Sequence, residues 1–252
     1  MKIRILLGLL SLCSGLSIAP SFAQAVEPDT AFLRSAVKNA VALYRQSIGK
    51  QAHLYNGLEY VDHRKHYFEG HQFLDSNEFS QGAVFYEGGW YEQVPMLYDL
   101  VTDEIVIKHE DSGLKQRLIS EKVDTFSLYG HTFVRLGKDK SSSTSLPPGF
   151  YDLIHSNKTK VLVKRTKSPQ QKATSTGMEG WFDAGEKYYV WKEGTYTQVS
   201  RKGSVLKVFE DRKKALQKHL RAQKIKYRKN REEAIRELAS FYDGLEAQTS
   251  AE

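Results

Sequence analysis

Between Gln81 and Leu136, apolar and polar residues alternate in short runs that are typical of β-strands. Aromatic and β-branched residues fill the runs, and polar pairs such as Glu87-Gly88 and Tyr129-Gly130 separate them. Alternation places successive side chains on opposite faces of a strand, and such pairs suit hairpin turns. The pattern predicts an antiparallel meander with strands at residues 82–86, 90–94, 96–100, 104–108, 114–119, 122–128 and 131–136.

The pattern changes before the meander. Apolar residues between Phe32 and Tyr44 recur near the helical period, with cations on the other faces. They predict an amphipathic helix over residues 31–48, which we expect to cover one face of the sheet.

After the meander, two runs around Ser156-Asn157-Lys158 predict a second hairpin. Residues 167–177 contain Ser, Thr, Gln and Pro without periodicity and predict a mobile loop. Strands are expected again at 187–191 and 196–201. Apolar stripes with caps at Asp211 and Asn230 then predict helices over residues 204–209, 211–223 and 230–245.

Together these elements predict an α+β fold: an N-terminal helix, a strongly twisted or curled antiparallel sheet, and C-terminal helices. The sheet would have about 10 to 12 strands, which is near the size at which an open sheet curls or splits. Residues 26–202 are expected to form the domain of helix and sheet, with a break between sub-sheets near 138–149 as an alternative. Residues 203–252 are expected to form a basic helical segment.

The first 25 residues have the form of a secretory signal peptide. Lys2 and Arg4 precede an apolar run over residues 5–18, which is too short to span a bilayer, and the small residues Ala23 and Ala25 follow. We expect cleavage after Ala23 or Ala25 and export to the periplasm or beyond. The mature chain is expected to have no transmembrane segment.

Cysteine occurs once, at Cys13, inside the predicted signal peptide. The mature chain would therefore have no thiol. Disulfides, thiolate metal sites, cysteine nucleophiles and iron–sulfur clusters are excluded for such a chain. An exported protein without disulfides must obtain its stability from a packed core.

Positive charge is concentrated near the C-terminus. The formal net charge of +7 falls to +5 when Lys2 and Arg4 are removed with the leader. Residues 201–231 contain thirteen Lys or Arg and two acids, Glu210 and Asp211. Such a run can meet phosphates on lipid headgroups or surface polysaccharide, whereas export argues against nucleic acid. Basic runs on an exposed helix are more often a solvated face. The residues predicted to contact an anionic surface are Lys213, Lys214, Lys218, Arg221, Lys224 and Arg228.

Residues 62–71 contain the densest cluster of potential metal ligands. His63 and His66 would share one face of a helical turn, but Arg64 and Lys65 between them would repel a cation. Their spacing also matches no standard zinc pattern. We therefore predict a solvated loop without a metal, and no other motif in the sequence indicates a cofactor.

The motifs of several enzyme classes are absent, namely G-x-S-x-G, H-E-x-x-H, the P-loop and G-x-G-x-x-G. A glycosidase requires only two carboxylates at a suitable separation. Hydrolysis of an envelope polymer is thus an alternative function, although acids beside turns are also ordinary solubilising residues. The candidate acids are Glu87, Asp99, Asp103, Glu104 and Asp152.

Six short motifs, in this order along nearly all of the predicted mature chain, resemble those of a group of exported bacterial proteins with no assigned activity. They are L-Y-N-G (54–57), V-P-M-L-Y-D (94–99), D-E-I-V (103–106), G-H-T-F (130–133), P-G-F-Y-D (148–152) and F-Y-D (241–243). The resemblance implies a signal peptide, a β-rich body and basic C-terminal helices, and it carries over no site residues. In fold alone, the expected architecture is similar to envelope carriers with a curved antiparallel sheet and a covering helix.

These observations predict an exported cell-envelope protein that binds an anionic lipid, a glycan or a protein partner without catalysis. The alternatives are the hydrolase described above and a structural or interaction module, which the aromatic strands suggest.

Expression of the full chain in a bacterium tests the predicted signal peptide. Replacing both Ala23 and Ala25 by Leu removes the small residues that cleavage requires, so we expect this variant to keep its leader. The wild-type chain should begin at Gln24 or Val26. Intact-mass measurement distinguishes the two products, and replacement of both alanines by Ser is the matched control. A wild-type product that still contains Lys2 would contradict the assignment.

Overall fold

The structure, a computed structural model, describes residues 30–48, 53–62, 64–109, 112–137 and 146–249. The predicted signal peptide lies outside these residues. The chain divides into two compact units after Ile48. The first unit contains the helix α1 (Thr30–Ile48), in agreement with the amphipathic pattern. The expected packing of α1 against the sheet stays a prediction.

The second unit is built on one antiparallel sheet of eleven strands, which confirms the predicted class and strand number. The strands are β1 (Leu58–Glu59), β2 (Ser80–Tyr86), β3 (Gly89–Asp99), β4 (Glu104–Lys108), β5 (Lys115–Arg117), β6 (Val123–Leu128), β7 (His131–Leu136), β8 (Gly149–Ser156), β9 (Lys160–Thr174), β10 (Gly177–Lys192) and β11 (Thr195–Val199).

The strands follow the order β1-β5-β4-β3-β2-β6-β7-β8-β9-β10-β11, so β1 and β11 are the two edges and the sheet does not close. The order departs from a simple meander at one step, because β6 pairs with β2 and not with β5. The far side of β5 is occupied by β1, so the free edge available to β6 is that of β2. β7 pairs directly with β8, and the sheet continues across the segment where a break was considered.

The expectation of a mobile loop at residues 167–177 is wrong. β9 and β10 form a long hairpin with fifteen residue pairs, and Pro169 stands opposite Phe182. The Lys167 N–H points away from β10 and donates to the Leu100 carbonyl at 3.0 Å. Pro169 is two residues further along the same strand and shares that side, so its missing N–H costs no bond to β10. Backbone pairing therefore overrides the weak strand propensity of this polar stretch.

Three helices follow the sheet: α2 (Lys202–Val208), α3 (Lys213–Ala222) and α4 (Arg231–Thr249). They pack on the end of the sheet formed by β9, β10 and β11. Within the described ranges, no helix is both long and apolar enough to cross a membrane. The buried cluster that joins helices and sheet comprises Val161, Val163, Tyr188, Val190, Val199, Val205, Leu206, Phe209, Leu216, Leu220, Ala234, Ile235, Leu238, Ala239 and Tyr242.

A buried carboxylate also attaches α4 to the sheet. Asp243 is 2% exposed, and its Oδ1 accepts the Thr159 backbone N–H at 3.1 Å. Its Oδ2 lies 2.8 Å from Nε2 of His155 on β8. Because a buried carboxylate needs such partners, this pairing sets the position of α4 on the β8–β9 turn.

An aromatic cluster fills a second region, formed by β3, β6, β7 and β8. The rings of Phe126 and Phe133 stack with centroids 4.7 Å apart, and Tyr98 approaches Phe133 at 4.9 Å. Tyr98 also approaches Phe150 at 6.1 Å, although β3 and β8 are not neighbours in the sheet.

The turn between β3 and β4 carries one side chain, that of Asp103, which binds to β8 and β9. Asp103 Oδ2 accepts Lys164 Nζ at 2.7 Å and the Phe150 N–H at 3.1 Å, and its Oδ1 accepts the Tyr98 hydroxyl. Gly149 permits this approach, since a Cβ there would lie 2.3 Å from Asp103 Oδ2. Burial is the main cause that raises the pKa of Tyr98 well above its ordinary value, so its hydroxyl remains a donor.

The helical cover should contribute strongly to stability. Leu238 is fully buried, so we expect Leu238→Ala to lower the free energy of unfolding by about 2–5 kcal/mol. Denaturant unfolding of the chain measures this loss. Ser240→Ala is the control, because this side chain of the same helix is exposed and should change stability by less than about 0.5 kcal/mol. Equal midpoints for the two variants would show that α4 does not unfold with the sheet.

Candidate functional site

A cleft of about 920 Å³ opens between the start of α2 and the connection from α3 to α4. Cations dominate its lining, and no lining residue is an acid. We call this site the basic cleft. Its cations are Arg201, Lys202, Lys226, Arg228, Lys229 and Arg231, and its other lining residues are Ser200, Gly203, Ile225 and Tyr227.

One wall of the basic cleft follows from the way α3 ends. Lys224 adopts a left-handed conformation with φ 56°, and the Ile225 N–H donates back to the Leu220 carbonyl at 3.3 Å. These are the marks of a helix C-cap that reverses the chain. Ile225 then packs on the apolar cluster, which anchors the connection. The Asn230 N–H donates to the Lys226 carbonyl at 3.0 Å, so the cations between them lie on one tight turn.

The other wall is the junction between β11 and α2. Ser204 Oγ accepts the backbone N–H groups of Ser200 and Arg201 at 3.0 and 3.1 Å. This bonding supports the start of α2 and fixes the position of Arg201 and Lys202 beside the α3–α4 connection.

The positive charge of the basic cleft is only partly balanced by nearby acids: Arg228, Lys229 and Arg231 also line an adjoining depression that contains Glu186, Glu232 and Glu233. In the part of the chain that the structure describes, none of the six forms a salt bridge. The Tyr227 hydroxyl is buried and has no hydrogen-bond partner there. Burial raises the pKa of Tyr227, so the hydroxyl keeps its proton and can donate. A cleft with six cations in its lining is suited to an anion.

Half of the residues predicted to bind an anionic surface lie at this site. Arg228 lines the basic cleft itself. Arg221 and Lys224 line an adjoining depression of about 360 Å³, which shares Lys202 and Lys226 with the cleft. The other predicted residues are exposed on α3, outside both linings: Lys213, Lys214 and Lys218.

Sequence reasoning missed Arg201, Lys202, Lys226, Lys229 and Arg231. All five belong to the cation-rich stretch of residues 201–231, so the charge density indicated the correct part of the chain. No local sequence pattern predicts that the β11–α2 junction lies beside the α3–α4 connection, because this contact depends on tertiary packing.

The five acids considered for hydrolysis are each bound to a donor of the protein. Their partners are Lys122 for Glu87, Tyr60 for Asp99, Lys164 for Asp103, Arg117 for Glu104 and Arg165 for Asp152. Among the described residues, no group of three potential ligands could hold a metal ion. His63 lies outside those residues.

A charged network joins the sheet to α4. Asp152 Oδ2 lies 2.7 Å from His131 Nδ1 and accepts Arg165 Nη2 at 2.6 Å. The same guanidinium donates to Glu232 Oε2 on α4 at 2.7 Å. The hydrogen bond to Asp152 raises the pKa of His131, against the opposing effect of burial. Because the charged groups of this network bind one another, we assign them a structural role.

Comparisons with models of protein families, with curated proteins and with solved structures found no match.

The raised pKa of His131 predicts a pH dependence of stability. A raised folded-state pKa contributes stability that is fully present below the unfolded value of about 6.5. That contribution is lost as pH rises through the folded-state pKa of His131. We therefore expect His131→Gln to flatten the fall of the unfolding free energy above about pH 6.5, measured by denaturant titration at several pH values. Replacing the exposed His66 by Gln should keep the wild-type slope. An unchanged slope in the His131 variant would contradict this role.

Proposed function

We propose that this chain is an exported, non-enzymatic protein of the cell envelope that docks on membranes containing anionic lipid. The observation that supports the proposal is the basic cleft, whose lining contains six cations and no acid, and five of these cations are exposed while Lys202 is half-buried. Headgroup phosphates supply the opposite charge, and their oxygens accept the hydrogen bonds that Lys and Arg donate.

The docking is electrostatic and does not need insertion into the bilayer. Leu216 and Leu220 form the apolar stripe of α3, and both are buried in the core. The helix therefore has no free apolar face of the kind that interfacial helices place among acyl chains. A basic residue close to an anionic membrane contributes about 1 kcal/mol at physiological salt, so several together give a useful affinity.

Lys213, Lys214 and Lys218 extend the positive surface along α3, and all three are exposed. They are proposed to add long-range attraction, while the cleft makes the close contacts. Salt screens distant charges more than charges in close contact, so the two groups should differ in their response to salt.

The sheet that carries the cleft is proposed to be strongly curled. Two contacts support this: Lys164 Nζ with Asp103 Oδ2 at 2.7 Å, and Tyr98 with Phe150 at 6.1 Å. In a flat sheet β3 and β9, with four strands between them, would lie roughly 24 Å apart. Curling gives the helices a stiff support, and the cleft keeps its shape in the absence of a ligand.

Removal of the three cations on the α3–α4 turn tests the proposal. We expect Lys226→Gln/Arg228→Gln/Lys229→Gln to bind vesicles of phosphatidylglycerol and phosphatidylcholine on the order of 100-fold more weakly, because each lost contact contributes about 1 kcal/mol. Co-sedimentation measures binding, and raising the salt concentration should weaken the wild-type interaction.

The matched control is Lys213→Gln/Lys214→Gln/Lys218→Gln, which removes the same charge from α3 outside the cleft. It should weaken binding less than the cleft variant does. Equal losses would reject the cleft as the docking site and leave only general charge. Wild-type binding to pure phosphatidylcholine that equals binding to the anionic vesicles would reject membrane docking through charge.

A further inference from the structure

A second pocket, far from the cleft in sequence, lies where the β3–β4 turn meets the tip of the β9–β10 hairpin. Its volume is about 340 Å³, near the lower end of the range of about 300–1,000 Å³ for small-ligand sites. We call it the Gln72 pocket. Its lining includes Tyr60, Gln72 and Asp99, which are 8%, 5% and 2% exposed, together with the apolar residues Val61, Phe68, Val101, Pro169 and Phe182.

A chain of hydrogen bonds fixes the orientation of the Gln72 amide. The Tyr60 hydroxyl donates to Asp99 Oδ2 at 2.7 Å, so it accepts from Gln72 Nε2 at 3.0 Å. The second N–H of Nε2 donates to Asp62 Oδ1 at 3.0 Å. A carboxylate can only accept, so the nitrogen must face Asp62. Burial raises the pKa of Tyr60, which keeps its hydroxyl as the donor.

This orientation leaves one acceptor without a partner. Gln72 Oε1 is buried and accepts no hydrogen bond from any residue that the structure describes. Buried acceptors in native proteins nearly always have a donor, supplied by the protein, a water or a ligand. Because Gln72 lines the pocket, a molecule bound there that brings a hydroxyl or an N–H group is a candidate partner for this oxygen.

The aromatic wall is held in place before any ligand binds. Phe68 packs over Gly180, where a Cβ would lie 2.6 Å from the ring. The Glu69 N–H donates to the Gly180 carbonyl at 2.8 Å, and the Gly180 N–H donates to the Tyr67 carbonyl at 3.0 Å. Phe182 lies beside Phe68, with ring centroids 5.2 Å apart. The rings form an apolar platform opposite the polar residues.

The charges of the lining select the class of ligand. Carboxylates of Glu59, Asp99 and Glu104 disfavour an anion, while guanidinium groups of Arg64 and Arg117 disfavour a cation. An acyl chain would cover these groups without replacing their bonds to water. A neutral polyhydroxylated ring donates and accepts hydrogen bonds at its edge, and its C–H face packs on aromatic rings.

We propose that the Gln72 pocket binds a neutral saccharide unit of an envelope glycan, with a hydroxyl or acetamido N–H donating to Gln72 Oε1 and a sugar face on Phe182. This site is separate from the basic cleft and goes beyond membrane docking.

Calorimetric titration of the mature chain with two probes tests the proposal: oligomers of N-acetylglucosamine and cello-oligosaccharides. The wild-type chain is expected to bind at least one, and binding to both would identify hydroxyl donors as sufficient. Phe182→Ala should weaken binding on the order of ten-fold, as loss of a central aromatic contact does. Val101→Trp should abolish it, because Val101 lines the pocket and its side chain is 38% exposed.

Trp181→Ala is the matched control. Trp181 precedes Phe182 on β10, lies on the opposite face and does not line the pocket, so its loss should leave saccharide affinity unchanged. The cleft variant Lys226→Gln/Arg228→Gln/Lys229→Gln should also bind saccharide normally. Absence of binding to both probes would overturn the proposal and leave a trapped water as the partner of Gln72. Equal losses in the two aromatic variants, or binding that survives Val101→Trp in a folded protein, would overturn it as well.

Discussion

Backbone pairing between β9 and β10 is the interaction on which both candidate sites depend. The ladder runs through fifteen residue pairs, from Gly177 opposite Thr174 to Trp191 opposite Lys160. Its base carries the helices and the basic cleft, and its tip supplies Pro169 and Phe182 to the Gln72 pocket. A hairpin of this length is stable in water only when its faces are packed. The helices at the base and the 60–79 loop at the tip provide that packing.

Alternation along these two strands explains how the helices are held. Val161, Val163 and Val190 face the helices, while Leu162 and Tyr189 belong to a cluster with Tyr151 on the other side. Both faces of the sheet are thus buried at this end, as the period of two requires. Because the apolar stripes of α2–α4 are used in this contact, the cations of the same segment remain at the surface. The high charge of α2–α4 and their tight packing therefore both follow from one amphipathic pattern.

Much of the architecture could be predicted from local pattern, and the remainder depended on contacts distant in sequence. The alternation of apolar and polar residues predicted most of the strands, and the apolar stripe with Leu216 and Leu220 predicted α3. The stretch around Pro169 has no such pattern. It is a strand because β10 pairs with it and the Leu100 carbonyl accepts the Lys167 N–H, while the 60–79 loop bonds to Gly180 of β10. The acids that looked exposed beside turns proved to be bound, since Lys164 reaches Asp103 across 61 positions of sequence. Tyr60, Gln72 and Asp99 carried no local signal because their hydrogen bonds exist only in the folded chain.

The two proposed sites are suited to different kinds of ligand. Phe182 and Val190 are eight positions apart on β10, and Val190 packs against the helices. Eight positions correspond to at most roughly 26 Å along an extended strand. A ligand that fits the 340 Å³ pocket is shorter than an extended strand of that length, so we expect it to leave the charge of the cleft unchanged. The two linings also differ in charge: the charged residues of the basic cleft are all cations, whereas the Gln72 pocket has charged residues of both signs. If both proposals hold, the β9–β10 hairpin connects the proposed anion site and the proposed saccharide site, and it would hold a membrane surface and a glycan at a fixed separation. A flexible linker between the two sites would let their separation vary, whereas a paired strand ladder keeps the separation fixed.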